Sequence, residues 1–299
     1  MRTKTISLAG AAVLTFALCS TVTPADAAAT CSLNLGSVTT AGAQTARTIT
    51  ASTPVSVGAV TTTSGVYQPG AVQHISTFRN IPTGTGAARS GMTVHGNALY
   101  STAYSTLANG QVDPAHPVAE SRIGGGWSGF RWIDESIHNP VDPLEPRRTT
   151  LYAQDTSGFL KRWTLDETGW HGTGGIGGLS AAKSMTLIAR EFSYDVFLLN
   201  NRAGRLMTVM VFGTYPMSTY GTTLRTSTWQ VFEQLIAAPC GTGTLILGID
   251  RDTRSATLYS MAHVNGTATV IRSLGKVPGS FTDPHYFRYT PRNDTLRGQ

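Results

Sequence analysis

The sequence predicts an all-β fold, a β-propeller of about five four-stranded blades, with six blades as the alternative. The first observation is a strand-turn-strand pattern whose apolar anchors are separated by 52, 46 and 48 residues, at Leu99, Leu151, Phe197 and Leu245. The second is a marker between these hairpins with steps of 52, 48 and 52, at Ser128, Ser180, Thr228 and Ser280. A unit of about 50 residues with four short strands is typical of a propeller blade, which buries its faces only against neighbouring blades.

Residues 1–27 are predicted to be a secretion signal peptide. Arg2 and Lys4 precede an apolar stretch of about 13 residues, and Ala25-Asp26-Ala27 follows as a small-x-small cleavage site. The apolar stretch is shorter than the roughly 20 residues that cross a bilayer as a helix. We therefore expect a secreted, extracellular protein with no membrane segment, whose residues 28–299 form a single propeller domain.

The turns of the repeat have a clear chemical basis. Asp155-Thr156-Ser157-Gly158 and Asn200-Asn201-Arg202-Ala203-Gly204 place Asx residues and glycine where a hairpin needs side-chain bonding and positive φ. Two further segments, Ala181–Arg190 and Trp229–Ala238, have spacing that a helix would also allow. Because both fall where other repeat units have strands, we predict strands there too.

The first part of the domain admits two interpretations. Residues 28–91 are rich in Thr, Ser and Gly, so they supply either a fifth blade, from 48–63 and 71–78, or a linker. A strand near Tyr286-Phe287-Arg288-Tyr289 is expected to pair with N-terminal strands and close the ring.

Cys31 and Cys240 are predicted to form a disulfide bond, since two otherwise unpaired thiols in an oxidising compartment most readily join. Seven histidines are dispersed without metal-ligand spacing, so no metal and no cofactor are expected. The formal charge of +6 is spread along the chain, whereas nucleic-acid binding usually needs a concentrated basic face. We therefore expect no nucleic-acid partner.

One family resemblance rests on a run of motif residues. Two glycines precede Trp127, Phe130 follows, and Leu151-Tyr152 lead to a turn with Asp155 and Gly158. This arrangement resembles the tachylectin-type five-bladed propeller. The resemblance implies a lectin-like fold that binds sugars in clefts between neighbouring blades.

The predicted carbohydrate-binding residues are Trp163, Trp170, Asp155 and Trp132. A flat aromatic ring suits the apolar face of a sugar, and carboxylate or amide acceptors suit its hydroxyl groups. The alternative is that the tryptophans fill gaps between blades, which we expect of Trp127.

No catalytic residues are predicted. The adjacent pair Asp134-Glu135 would point to opposite faces of a strand, whereas glycosidases need two carboxylates about 5–9 Å apart across a cleft. Different blades of a propeller can nevertheless supply such a pair. The sequence thus predicts a non-catalytic, lectin-like propeller that binds cell-surface or cell-wall carbohydrate. Two alternatives remain open, a protein-interaction or targeting subunit of an exported toxin or adhesin particle, and a propeller glycoside hydrolase.

Overall fold

A computed structural model describes residues 31–140 and 145–298, and the predicted signal peptide at 1–27 lies outside these residues. The first strands are β1 Ser32–Val38, β2 Gln44–Thr50, β3 Ser56–Val57, β4 Thr61–Thr63, β5 Val72–Ile75, β6 Phe78–Pro82, β7 Gly86–His95, β8 Ala98–Leu107 and β9 Ala119–Gly125. The next are β10 Phe130–His138, β11 Arg148–Asp155, β12 Leu160–Asp166, β13 Gly169–Ile176, β14 Ala182–Arg190, β15 Tyr194–Asn201, β16 Leu206–Phe212 and β17 Thr219–Arg225. A short 3-10 helix, Trp229–Val231, precedes β18 Gln234–Cys240, β19 Gly243–Asp250, β20 Ser255–Met261, β21 Ile271–Lys276 and β22 His285–Thr290.

These strands form five antiparallel blades around one axis. The second, third and fourth blades are the meanders β10–β13, β14–β17 and β18–β21. The first blade is β7, β8 and β9 with an inner strand interrupted between β5 and β6, both of which pair with β7. The fifth blade is β22, β1 and β2, with β3 and β4 beside β2. The prediction of a five-bladed all-β propeller is confirmed, and the segment that could have been a linker forms strands.

The fifth blade combines strands from both ends of the described chain. β22 pairs antiparallel with β1, with Arg288 opposite Leu35, and parallel with β6, with Tyr289 opposite Phe78. The disulfide between Cys31 and Cys240 links this blade to the fourth, as predicted.

The register of the repeat differs from the prediction in the first blade. Leu151, Phe197 and Leu245 lie on the second strands of their blades, whereas Leu99 lies on β8, which is a third strand. The first blade turns at Gly96-Asn97, directly between β7 and β8. Its hairpin therefore lies before the anchor that the sequence pattern selected.

Strands also form where helices were the alternative. Ala182–Arg190 is β14, and its buried face packs on the neighbouring blade. The second segment begins as the 3-10 turn Trp229–Val231 and continues as β18. Trp229 is buried beside Phe232 and Tyr259, so tertiary packing determines this conformation.

Within the first and fifth blades, aromatic rings lie over glycines of the adjacent strand. A Cβ on Gly36 would overlap the ring of Phe287, and a Cβ on Gly91 would overlap the ring of Phe78. Phe287 is the cross-strand partner of Gly36, so this ring covers a glycine of its own sheet. The core between neighbouring blades consists of clusters of buried apolar side chains from both of them.

Candidate functional site

The inner strands line a funnel along the propeller axis. The residue near the start of each inner strand recurs at intervals of 52, 50 and 52, as Arg131, Lys183, Glu233 and His285. All four, with His74 from the first blade, line one cavity of about 250 Å³ at the mouth. Equivalent positions of the blades thus place polar and charged side chains in a ring around one opening.

Hydrogen bonds hold the ring in position. Lys183 Nζ lies 2.6 Å from Glu233 Oε1, and the two side chains are 25% and 24% exposed. Glu233 Oε2 also accepts a hydrogen bond of 2.7 Å from the backbone N–H of Arg251. Arg131 donates through Nε to Gln154 Oε1 at 3.1 Å. The groups at the mouth are therefore set before any ligand arrives.

The two histidines at the mouth favour their neutral forms. His285 Nε2 donates to the carbonyl oxygen of Val72 at 2.9 Å. Burial is the main cause that lowers the pKa of His285 to about 4. Burial also lowers the pKa of His74. At neutral pH the histidines contribute hydrogen-bonding groups to the funnel rather than charge.

A second layer lies three residues deeper, formed by Asp134, Thr186, Ile236 and Arg288. It lines a narrow cavity of about 60 Å³, which shares Trp132 and Tyr286 with the mouth. The funnel therefore narrows from an opening that admits a sugar ring to a space that holds water, for which about 10–15 Å³ is enough.

Asp134 is the carboxyl group of this deeper layer. Its Oδ1 accepts hydrogen bonds of 2.9 Å from the backbone N–H groups of Thr77 and Glu135. The N–H of Thr77 can donate to Asp134 because the inner strand of the first blade is interrupted at this residue, between β5 and β6. Burial raises the pKa of Asp134. The deep carboxyl group thus binds a proton more readily than an exposed aspartate.

Asp134 and Glu233 form a pair of carboxyl groups in contrasting environments. Asp134 lies three residues beyond Arg131, the repeat equivalent of Glu233, so it lines the deeper cavity and Glu233 lines the mouth. One carboxyl group is buried and the other contacts an ammonium group at the opening. Such contrast is the arrangement by which enzymes divide acid and base roles between two carboxyls.

Glu135 points away from the funnel, as the alternation along a strand predicts. It lines a different cavity, with Arg79 and Arg147, whereas Asp134 lines the axial one. Adjacent carboxylates therefore do not form a catalytic pair here.

The C-terminal segment lies along the axis at the opposite end. Arg297 forms a bridge with Ala189 of β14, whose other edge is occupied by β15, and Gly298 N donates to Ile188 O at 2.9 Å. Asp294 Oδ2 lies 2.6 Å from both Arg190 Nη2 and Arg288 Nη2. The funnel is thus open at the mouth and lined at its far end by this segment.

The predicted sugar-binding residues are divided among three places. Trp163 and Trp170 line one cavity of about 340 Å³ between the first two blades, beside Trp127, whose ring lies 5.1 Å from that of Trp163. Trp132 lies in the axial funnel. Asp155 instead holds a turn, where its Oδ1 accepts from the Phe159 N–H at 2.9 Å. Sugar binding by these residues stays a prediction.

The mouth residues were missed by sequence reasoning. Arg131, Lys183, Glu233 and His285 differ in type, so no motif connects them. Their spacing of 52, 50 and 52 residues was the available signal, because it equals the repeat period.

Two kinds of feature are absent from the described residues. In 31–140 and 145–298, no group of three or more His, Cys, Asp or Glu side chains is placed to hold a metal ion. Over the same residues, no helix is long and apolar enough to cross a membrane.

Comparison with known proteins finds similarity among solved structures. No family model and no curated protein matches the chain. An α-L-arabinofuranosidase from Podospora anserina in complex with cellotriose is 14% identical, with 71% of this chain and 72% of that chain covered and a TM-score of 0.44. The catalytic domain of a GH62 α-L-arabinofuranosidase from Coprinopsis cinerea is 13% identical, with 68% of each chain covered and a TM-score of 0.43. A GH43_1 enzyme from Xanthomonas citri complexed with xylotriose is 7% identical, with 68% and 73% covered and a TM-score of 0.38.

These neighbours contradict two predictions from the sequence, the non-catalytic lectin-like function and the absence of enzyme activity. They are glycoside hydrolases or their catalytic domains. Asp134 and Glu233 lie on separate blades and are 99 residues apart in the sequence (233 − 134 = 99), so no local motif joins them. At these identities the likeness concerns the fold alone. The tachylectin-type resemblance and the extracellular location stay predictions.

Proposed function

We propose that this protein is a glycoside hydrolase that cleaves a polysaccharide at the mouth of the axial funnel, outside the cell. The proposal rests on one observation, the presence of Asp134 and Glu233 in one funnel with contrasting environments. The mouth cavity of about 250 Å³ suits a single sugar ring, and Trp132 and Tyr286 provide aromatic walls.

Depth determines the role of each group. The narrow space beside Asp134 holds the attacking water, and Asp134 accepts the proton of that water as its oxygen bonds to the anomeric carbon. The bond from the anomeric carbon to the leaving oxygen breaks at the mouth. There Lys183 Nζ passes a proton across the 2.6 Å to Glu233 Oε1, and Glu233 delivers it to that oxygen, so that the lysine is left neutral.

Direct attack by water predicts the stereochemical outcome. A single displacement by water inverts the anomeric carbon, whereas retaining enzymes first form a covalent bond to a carboxylate that lies about 5–5.5 Å from the acid. We therefore expect inversion at the anomeric carbon, which proton NMR of the first product detects before mutarotation.

The test is the release of reducing ends from arabinoxylan, xylotriose, cellotriose and polygalacturonate. We expect Asp134→Asn to lower kcat at least 100-fold, as loss of a general acid or base usually does. Glu233→Gln is expected to act similarly. Glu167→Gln, an exposed carboxylate on the outer part of the second blade, is the matched control. Full activity in folded Asp134→Asn would overturn the assignment, as would the absence of products from every substrate.

We also propose that Trp163 and Trp170 hold a sugar ring of the same polysaccharide away from the cleavage site. Both are half-buried and line one cavity with Lys161 at its edge. Trp170→Ala is expected to weaken retention on insoluble polysaccharide while kcat on a short soluble substrate is unchanged. Equal retention of the variant and the parent protein would remove this site.

A further inference from the structure

The mouth of the funnel carries more positive than negative charge. Arg131, Lys183 and Arg251 line the cavity, and Glu233 is the one carboxylate among the described residues that line it. Lys183 is neutralised by Glu233 at 2.6 Å. The two arginines remain as an excess of two positive charges.

Neither arginine has a carboxylate partner at ion-pair distance in the described part of the chain. The ion pairs of lysine and arginine there join Lys183 to Glu233, Arg148 to Asp195, and Arg190 and Arg288 to Asp294. Arg131 is half-buried, and its Nη2 donates to the carbonyl oxygen of Leu179 at 3.1 Å. A partly desolvated guanidinium without an anion is costly for a fold, so its position beside an open cavity calls for an anionic ligand.

Both guanidinium groups are fixed by backbone carbonyls. Arg251 Nη2 donates to Pro284 O at 2.5 Å, and Arg131 bonds to Leu179 O as described above. Burial, together with the charge of the nearby Arg202, lowers the pKa of Arg131, and the charge of Asp155 acts in the opposite direction without reaching ion-pair distance. Because the groups are pre-positioned, less side-chain entropy is lost when they bind an anion.

We propose that the sugar bound at the mouth is anionic, with a carboxylate or sulfate group that contacts Arg131 and Arg251. This inference rests on the proposed function, since it specifies the substrate class of the same funnel. An arginine pairs with a carboxylate or a sulfate through two parallel hydrogen bonds, so both anions fit the observed groups. Uronic acid-containing and sulfated polysaccharides are the two sources of such sugars.

The test measures binding separately from cleavage. Calorimetry uses Asp134→Asn, which keeps the mouth charges, with tetragalacturonate and its methyl ester, and with a sulfated tetrasaccharide and its desulfated form. We expect at least one charged probe to bind about tenfold more tightly than its neutral counterpart. Arg131→Gln and Arg251→Gln should each remove this preference, while the exposed Arg272→Gln on the outer strand of the fourth blade should retain it. Should Arg131→Gln fail to fold, Arg251→Gln alone decides, since its side chain is exposed.

The outcomes separate this inference from the proposed hydrolysis. Preference for tetragalacturonate identifies a uronic acid, and preference for the sulfated probe identifies a sulfate. Equal affinity for charged and neutral probes, or a preference that survives in both arginine variants, overturns the inference. Charged probes that bind but release no reducing ends with the unmodified protein leave the inference standing and refute the hydrolase. Cleavage of a neutral polysaccharide, together with equal affinity for charged and neutral probes, refutes the inference and leaves the hydrolase standing.

Discussion

The double replacement Cys31→Ser/Cys240→Ser removes the covalent link between the fifth and fourth blades. The two cysteines are 209 residues apart. For a loop of that length, the chain-entropy relation gives about 18 cal/mol/K, or about 5 kcal/mol at 25 °C. The native structure loses little, because β1 still pairs along its length with β2 and with β22. We therefore expect the free energy of unfolding to fall by 4–5 kcal/mol, almost all of it through the unfolded state.

Urea unfolding followed by tryptophan fluorescence measures this loss. The midpoint should fall, and m should rise, because an uncrosslinked chain exposes more surface when it unfolds. Single Cys240→Ser and the parent protein under reducing conditions are the controls, and both should match the double variant. A loss below about 1 kcal/mol would refute the reasoning, since the unfolded chain would then be restricted by something other than the disulfide.

Three further predictions concern stability. The pKa of His285 is lowered to about 4 in the fold, against 6.5 in the unfolded chain, so the unfolded chain is protonated first as the pH falls. The free energy of unfolding should therefore fall by about 3 kcal/mol between pH 6.5 and pH 4. In a series of urea midpoints measured against pH, His285→Gln should flatten this part of the curve. Asp195→Asn should cost about 3–5 kcal/mol in calorimetry because it leaves a buried arginine unpaired, and an unchanged melting temperature would contradict this. Gly91→Ala should lower stability by about 1–3 kcal/mol because its Cβ would overlap the Phe78 ring, whereas Gly129→Ala, where nothing lies within 4 Å, should be neutral.

The blades could be predicted because their signals are local. The turn at Asp155 needs only residues within four positions, since its Oδ1 accepts from the N–H groups of Ser157 and Phe159. The repeat period then followed from the spacing of the strand-turn-strand segments along the sequence. The first blade escaped this count because its turn at Gly96-Asn97 lies before the Leu99 anchor, which selected the following strand instead.

The site could be predicted only in part, because it exists only after the ring has closed. Alternation along β10 correctly separated Asp134 from Glu135, which is a local property of any strand. The partnership of Asp134 with Glu233 depends on the number of blades between them and on the depth at which each inner strand enters the funnel. Trp132 was selected as an aromatic residue for sugar contact and lies in the funnel, but nothing nearby in sequence distinguishes it from Trp163.

The mixed fifth blade has a consequence for how the chain folds. β22 meets β1 with Arg288 opposite Leu35, a separation of 253 residues, so this pairing requires nearly the whole described chain. Until β22 is available, β1 and β6 both lack a neighbour on one edge, and the cost of bringing such distant segments together is not yet offset by their contacts. Blades two to four can form as each is synthesised, whereas the ring, and with it the funnel that holds Asp134 and Glu233, assembles in a single late step. A chain halted before residue 285 would therefore contain folded blades but no site.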